Sequence, residues 1–182
     1  MTWKSSHDRR LLNRGEVLRA VIVTADARRD GVVPMDVPGV AETFRDELTL
    51  IGALQLRWIS RLSGRIEREL MNEPMDLESA VVAAWAGLAA EMPGVRAILD
   101  HYRAHPVDDA MERAMAVSTA KEQSMLAVMA GRSSTTDAAA TRVGAAIERR
   151  ARDAYVAPSR PAGAHAAEPA GLVDRIRAVL AA

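Results

Sequence analysis

Residues 40–71 read VAETFRDELTLIGALQLRWISRLSGRIERELM, and the spacing of their apolar side chains decides the fold. Phe44, Leu48, Ile51, Leu54, Trp58, Leu62, Ile66 and Leu70 recur every three or four residues, the interval that aligns one face of a helix. No proline interrupts the run, and Glu42, Asp46 and Glu47 stand at its start, where carboxylates favour the helix dipole. A continuous helix over 40–71 is a rod of roughly 45 Å at 1.5 Å per residue. It is expected to be the central helix of an all-α domain.

The flanking segments repeat the pattern. From residue 14 to 29, Val17, Leu18, Val21, Ile22 and Ala25 form a helical stripe. The β-branched run AVIVT within it also suits a strand. Helix is favoured because a lone strand would have no partner, and Gly31 is the expected left-handed stop. VVPMDVPG at 32–39, with two prolines, reads as an extended connector into the central helix. Asp76 is placed to cap a helix carrying Leu77, Val81, Trp85, Leu88 and Met92, which Pro93-Gly94 kinks or divides before Val95, Ile98, Leu99 and Tyr102. Asp108 is placed to cap the next, with Met111, Met115, Ser118, Met125, Leu126 and Met129 inward and Gly131 closing it. An alanine-rich helix over 138–155, with only Val143, Ile147 and Tyr155 as larger apolar groups, is expected on the outside. The expectation is a four- to five-helix bundle over 14–155, preceded by a polar arm at 1–13.

Residues 156–171, VAPSRPAGAHAAEPAG, have the composition of a disordered Pro/Ala linker. After it, in GLVDRIRAVLAA, Leu172, Val173, Ile176, Val179 and Leu180 make a complete apolar face on a short C-terminal helix, residues 172–182. A helix of that length is marginal alone in water, so its apolar face asks for a surface to cover it. The layout resembles the encapsulation peptides of proteins packed into bacterial compartments. Those five residues are the candidate partner-binding set, either on the chain's own bundle or in the groove of a partner.

Composition narrows the rest. The 182 residues carry no net charge, although an acidic middle at 72–131 lies between basic flanks. There is no cysteine, which excludes disulfides and thiolate chemistry. No signal peptide and no eighteen-residue apolar run occur, so a cytoplasmic chain without a membrane span is expected. Arginine outnumbers lysine 22 to 2, a bias of GC-rich bacterial genomes.

Three constellations bear on function besides the tail. His101 and His105, four apart on a helix, could share a metal with Asp100, Asp108, Asp109 or Glu112, but no metalloprotease glutamate accompanies them. That pair is the basis of the alternative reading, a small-molecule-binding or metal-dependent enzyme. Arg57, Arg61, Arg65 and Arg68 form a basic row that could contact nucleic acid. With only six aromatics in the chain and no net charge, a stacking surface is lacking and nucleic acid is disfavoured. Gly52, Gly64 and Gly87 inside helices each lose about 1 kcal/mol against alanine, which points to close helix approach or to a ligand. No phosphate loop or nucleophile motif appears and no cofactor is called for. The leading expectation is a non-enzymatic helical adaptor or scaffold that binds a protein partner, with a second copy of itself among the options.

Overall fold

The computed structural model describes residues 13–72 and 74–155, and among them the chain is all-helical with seven helices and no strand. They are α1 (Arg14–Arg28), α2 (Val40–Thr43), α3 (Glu47–Asn72), α4 (Leu77–Glu91), α5 (Pro93–Ala104), α6 (Asp109–Met129) and α7 (Ala138–Ala154). Because α2 is a single turn and α4 and α5 divide one apolar run, the long elements form the expected bundle. The arm, the linker and the C-terminal helix with Leu172, Val173, Ile176, Val179 and Leu180 lie outside the described residues.

The AVIVT segment is helical. Asn13 opens α1 with a reciprocal cap: its side chain accepts from the Glu16 N–H, and Glu16 accepts from the Asn13 N–H, both at 3.0 Å. Arg29, at φ 51°, closes α1 in the left-handed conformation expected of Gly31, which is itself left-handed at φ 78° two residues later. The connector is not extended. Met35, Val37 and Val40 donate to Val33, Pro34 and Val37 carbonyls in successive tight turns, which tuck Val33 and Val37 into the core.

The 40–71 rod is interrupted. Phe44 is extended (φ −121°, ψ 126°), and Asp46 starts the long helix afresh by accepting from the Thr49 N–H at 2.8 Å. The break lets Phe44 turn fully into the core, beneath the Arg14 guanidinium at 4.6 Å. From Glu47 onward the expected face holds: Ile51, Leu54, Trp58, Leu62 and Ile66 are buried. The opposite face of α3 meets solvent. α4, small and apolar on nearly every side, is the more deeply enclosed element and touches α3, α5, α6 and α7. Asp76 and Asp108 cap α4 and α6 as expected, and Pro93 starts α5 at an angle of 102° to α4. No single helix among the described residues is long and apolar enough to cross a membrane.

The alanine-rich α7 is not peripheral. It runs antiparallel to α6, with the Thr141 hydroxyl 2.9 Å from that of Ser124 and the Gln123 amide donating to Glu148 at 2.8 Å. Its small residues Ala140, Gly144 and Ala151 are the buried face, because shortness is what lets two backbones approach. A Cβ at Gly144 would lie 1.7 Å from the Gln123 carbonyl oxygen, and one at Gly94 would lie 2.1 Å from the Ala25 carbonyl. These two glycines, rather than Gly52, Gly64 or Gly87, mark the close helix crossings. Gly87 instead makes room for the Arg65 side chain.

Candidate functional site

Between α3 and α6 lies a groove of about 640 Å³. Ile51 and Met115 belong to its buried floor, Leu48 and Ile59 to its half-buried walls. Leu56 and Val117 stand on it 68% and 54% exposed. Gly52 faces it with no neighbouring atom within 4 Å of where a Cβ would lie, so bare helix backbone is open there. The two charged residues among those lining the groove, Arg113 and Lys121, are both basic. Past Val117 and Lys121 a second trough of about 620 Å³ continues between α6 and α7, lined by Met125, Val128 and Met129. Of the four inward methionines of α6, Met111 and Met115 are fully core, whereas Met125 and Met129 pack half-buried against it and also line this trough.

Behind the groove, α6 sends a carboxyl side chain inward. Glu122 is 5% exposed, and one of its carboxylate oxygens accepts from both buried indoles, Trp58 Nε1 at 3.0 Å and Trp85 Nε1 at 2.9 Å. The two tryptophans pack against each other in the core, edge to face at 5.7 Å. From Glu122 an alternating chain of charges runs outward through Arg96 (3.7 Å), Asp100 (2.8 Å), Arg152 (2.7 Å), Glu148 (2.7 Å) and Arg103 (2.8 Å). Arg96 and Arg152 also lie over the indole faces. Three helices, α5, α6 and α7, are thus joined by three arginines and three carboxylates.

Burial pushes Asp100 and Glu148 toward the neutral form. The hydrogen bonds from Arg152 and the field of Arg96 outweigh that for Asp100, and those from Gln123 and Arg152 with the field of Arg103 outweigh it for Glu148, so both carboxyls are held below their usual range. Burial likewise acts against the charge of Arg152, and its two carboxylates hold it above its usual range. Carboxylates with lowered folded values stabilise fully above the ordinary range near 4 and lose that effect as pH falls through the folded values. Asp26, raised by burial, works in the opposite sense but stands alone against this pair. The melting temperature is therefore expected to hold from pH 7 to about 5 and to fall below about 4. Arg152→Met flattens that acid limb; an unchanged limb in thermal scans would remove the ionic chain as its cause.

The histidines come together without a site around them. His101 and His105 stack at 5.3 Å between centroids, both exposed, and among the described residues no group of three His, Asp or Glu is placed to hold a metal. The arginine row is partly spent within the fold. Arg61 and Arg65 pair with Glu91 of α4, and Arg65 also approaches Glu69 at 4.0 Å, leaving Arg57 and Arg68 without a described ion pair. Sequence reasoning missed Glu122, Arg96 and Glu148 and the opening of the groove. The 111, 115, 118, 122, 126 spacing was the available signal, since it puts Glu122 on the inward face. Comparison with known protein families, characterised proteins and solved structures finds no match to this chain.

Proposed function

We propose that this chain is a non-enzymatic helical adaptor that holds a protein partner by helix-in-groove contact, with residues 172–182 as its tethered recognition helix. The observation that supports this reading is that the described helices build one continuous core among themselves. Val17, Val21, Leu54, Trp58, Trp85, Leu99 and Leu126 are buried members of one continuous cluster that draws on α1, α3, α4, α5 and α6. The apolar face of Leu172, Val173, Ile176, Val179 and Leu180 is a stripe of its own on a segment too short to be stable alone in water, and a partner's groove would cover it.

Replacing Ile176 and Val179 together by Asp is the direct test. Affinity capture from a lysate of the source cell is expected to lose its partner, while the melting temperature moves by no more than about 4 °C, the equivalent of roughly 1 kcal/mol in a chain of this size. Capture that persists unchanged would sink the tail as the binding element. A large fall in melting temperature would return residues 172–182 to the bundle's own architecture.

A further inference from the structure

The α3–α6 groove has the dimensions and the lining of a second recognition site. Its α3 wall runs from Leu48 to Ile59, roughly 16 Å at 1.5 Å per residue, the length of three helical turns. Leu56 and Val117 project apolar surface to solvent on the two walls, and Gly52 removes the side chain that would otherwise stand in the way. A helix laid between two helices makes its apolar contacts at i, i+3, i+4 and i+7, and it needs close approach where its backbone crosses the floor.

The rim charges select among helices. Arg113 and Lys121 are exposed, no acidic residue lines the groove, and neither cation has an ion-pair partner among the described residues. The second trough is also without an acid and shares Lys121. A helix whose apolar stripe is bordered by glutamate or aspartate gains from both cations, whereas one bordered by lysine or arginine is repelled. The chain's own 172–182 segment is of the second kind. In helical projection its apolar face, centred on Ile176, is bordered by Arg175 on one side and Arg177 on the other, with Asp174 opposite.

We propose that the α3–α6 groove is a docking site for an acidic amphipathic helix of a partner protein, separate from the 172–182 helix. This rests on the adaptor reading and extends it: one chain presents a basic-flanked helix at its end and an acid-selective groove on its body, and so bridges two different protein surfaces.

The experiment uses the full chain and two fluorescein-labelled synthetic helices about four turns long. They share an apolar stripe of leucine and isoleucine, and one is flanked by glutamates, the other by lysines. Fluorescence anisotropy is expected to show the acidic helix binding at least about tenfold more tightly, with an advantage that shrinks as salt rises. Arg113→Glu with Lys121→Glu is expected to reverse the preference, and Leu56→Glu to abolish binding of both helices. All these positions are exposed, and circular dichroism checks that the variants remain folded. An unlabelled peptide of residues 172–182 is expected not to compete.

Equal binding of the two helices, or no binding of either, overturns the proposal. So does competition by the 172–182 peptide, or tighter probe binding once Ile176→Asp frees the groove, because either result makes the chain's own tail the occupant. The two readings fail separately. Partner capture lost in the tail variant but kept in Leu56→Glu leaves the adaptor reading intact whatever the groove does, and acid-selective probe binding stands even where tail capture is absent.

Discussion

Gly144→Ala is expected to destabilise the chain by about 3 kcal/mol or more, a fall of roughly 6–12 °C in melting temperature. Propensity alone predicts the opposite sign, since alanine gains about 1 kcal/mol over glycine inside a helix. Geometry overrules propensity here. The added Cβ would stand 1.7 Å from the carbonyl oxygen and 2.3 Å from the carbonyl carbon of Gln123, and those are backbone atoms of α6 with no rotamer in which to escape. The helices must separate by more than an ångström to admit the methyl group. Separation loosens the Ser124–Thr141 and Gln123–Glu148 contacts together, and with them the charge chain that ends on Glu148. Gly64→Ala is the control on the same chain. The nearest atom to its new Cβ would be the Arg68 guanidinium at 3.9 Å, ordinary contact, so it is expected to stabilise by about 0.5–1 kcal/mol. Thermal melting of both variants separates a crossing glycine from a tolerated one. A Gly144→Ala chain that melts within about 2 °C of the parent would mean that α6 and α7 do not cross so closely.

That contrast shows why the bundle was legible in the sequence and its crossings were not. Apolar periodicity and capping residues are local signals, and they located α1, α4, α6 and α7 within a few residues and the C-terminal end of α3, though not its start. Asp76 and Asp108 cap where their side chains can reach an N–H three residues on, which needs no knowledge of the rest of the chain. Close approach is a property of two helices at once. Gly144 lay in a segment with few large side chains, and that suggested an outer helix, whereas small residues are what allow α7 its deep seat. The break at Phe44–Asp46 was hidden for a related reason: Phe44 keeps the helical spacing in sequence but reaches the core by leaving the helix. The candidate site divides in the same way. The tail's expected apolar face is a one-helix pattern, a reading that needs the sequence alone, and it lies outside the described residues. The groove belongs to α3 and α6 together, and Leu56 and Val117 each look like a stray exposed residue until the two helices are set side by side.

Glu122→Leu is expected to be the most damaging single change, approaching the whole stability of an ordinary domain. Two penalties add. Arg96, 5% exposed, would keep its charge near the core with only Asp100 as a close partner, and breaking a buried pair from one side costs about 3–5 kcal/mol. The Nε1–H groups of Trp58 and Trp85 would lose the oxygen they share, at about 1–3 kcal/mol for each orphaned donor. Glu122→Gln separates the two, because an amide oxygen still serves both indoles while the negative charge is gone. Its loss is therefore the charge component, and it should remain folded. Arg96→Met in turn removes the cation but leaves Glu122 with its indole donors and the Gln55 amide at 3.3 Å. If charge coupling is what binds the residues, the double variant Arg96→Met with Glu122→Gln loses less than the two single losses summed, by about 1.5 kcal/mol or more, since neither partner then strands the other. Arg96 makes this coupling decisive: its Nε and Nη1 have no hydrogen-bond partner among the described residues, so the guanidinium relies on Glu122, Asp100 and the two indole faces. Denaturant unfolding followed by tryptophan fluorescence reads all four chains, because two of the three tryptophans flank the pair. Losses that add to within about 0.5 kcal/mol would show that the indole hydrogen bonds alone hold Glu122 inside, and that Arg96 is buried for its stacking rather than for its charge.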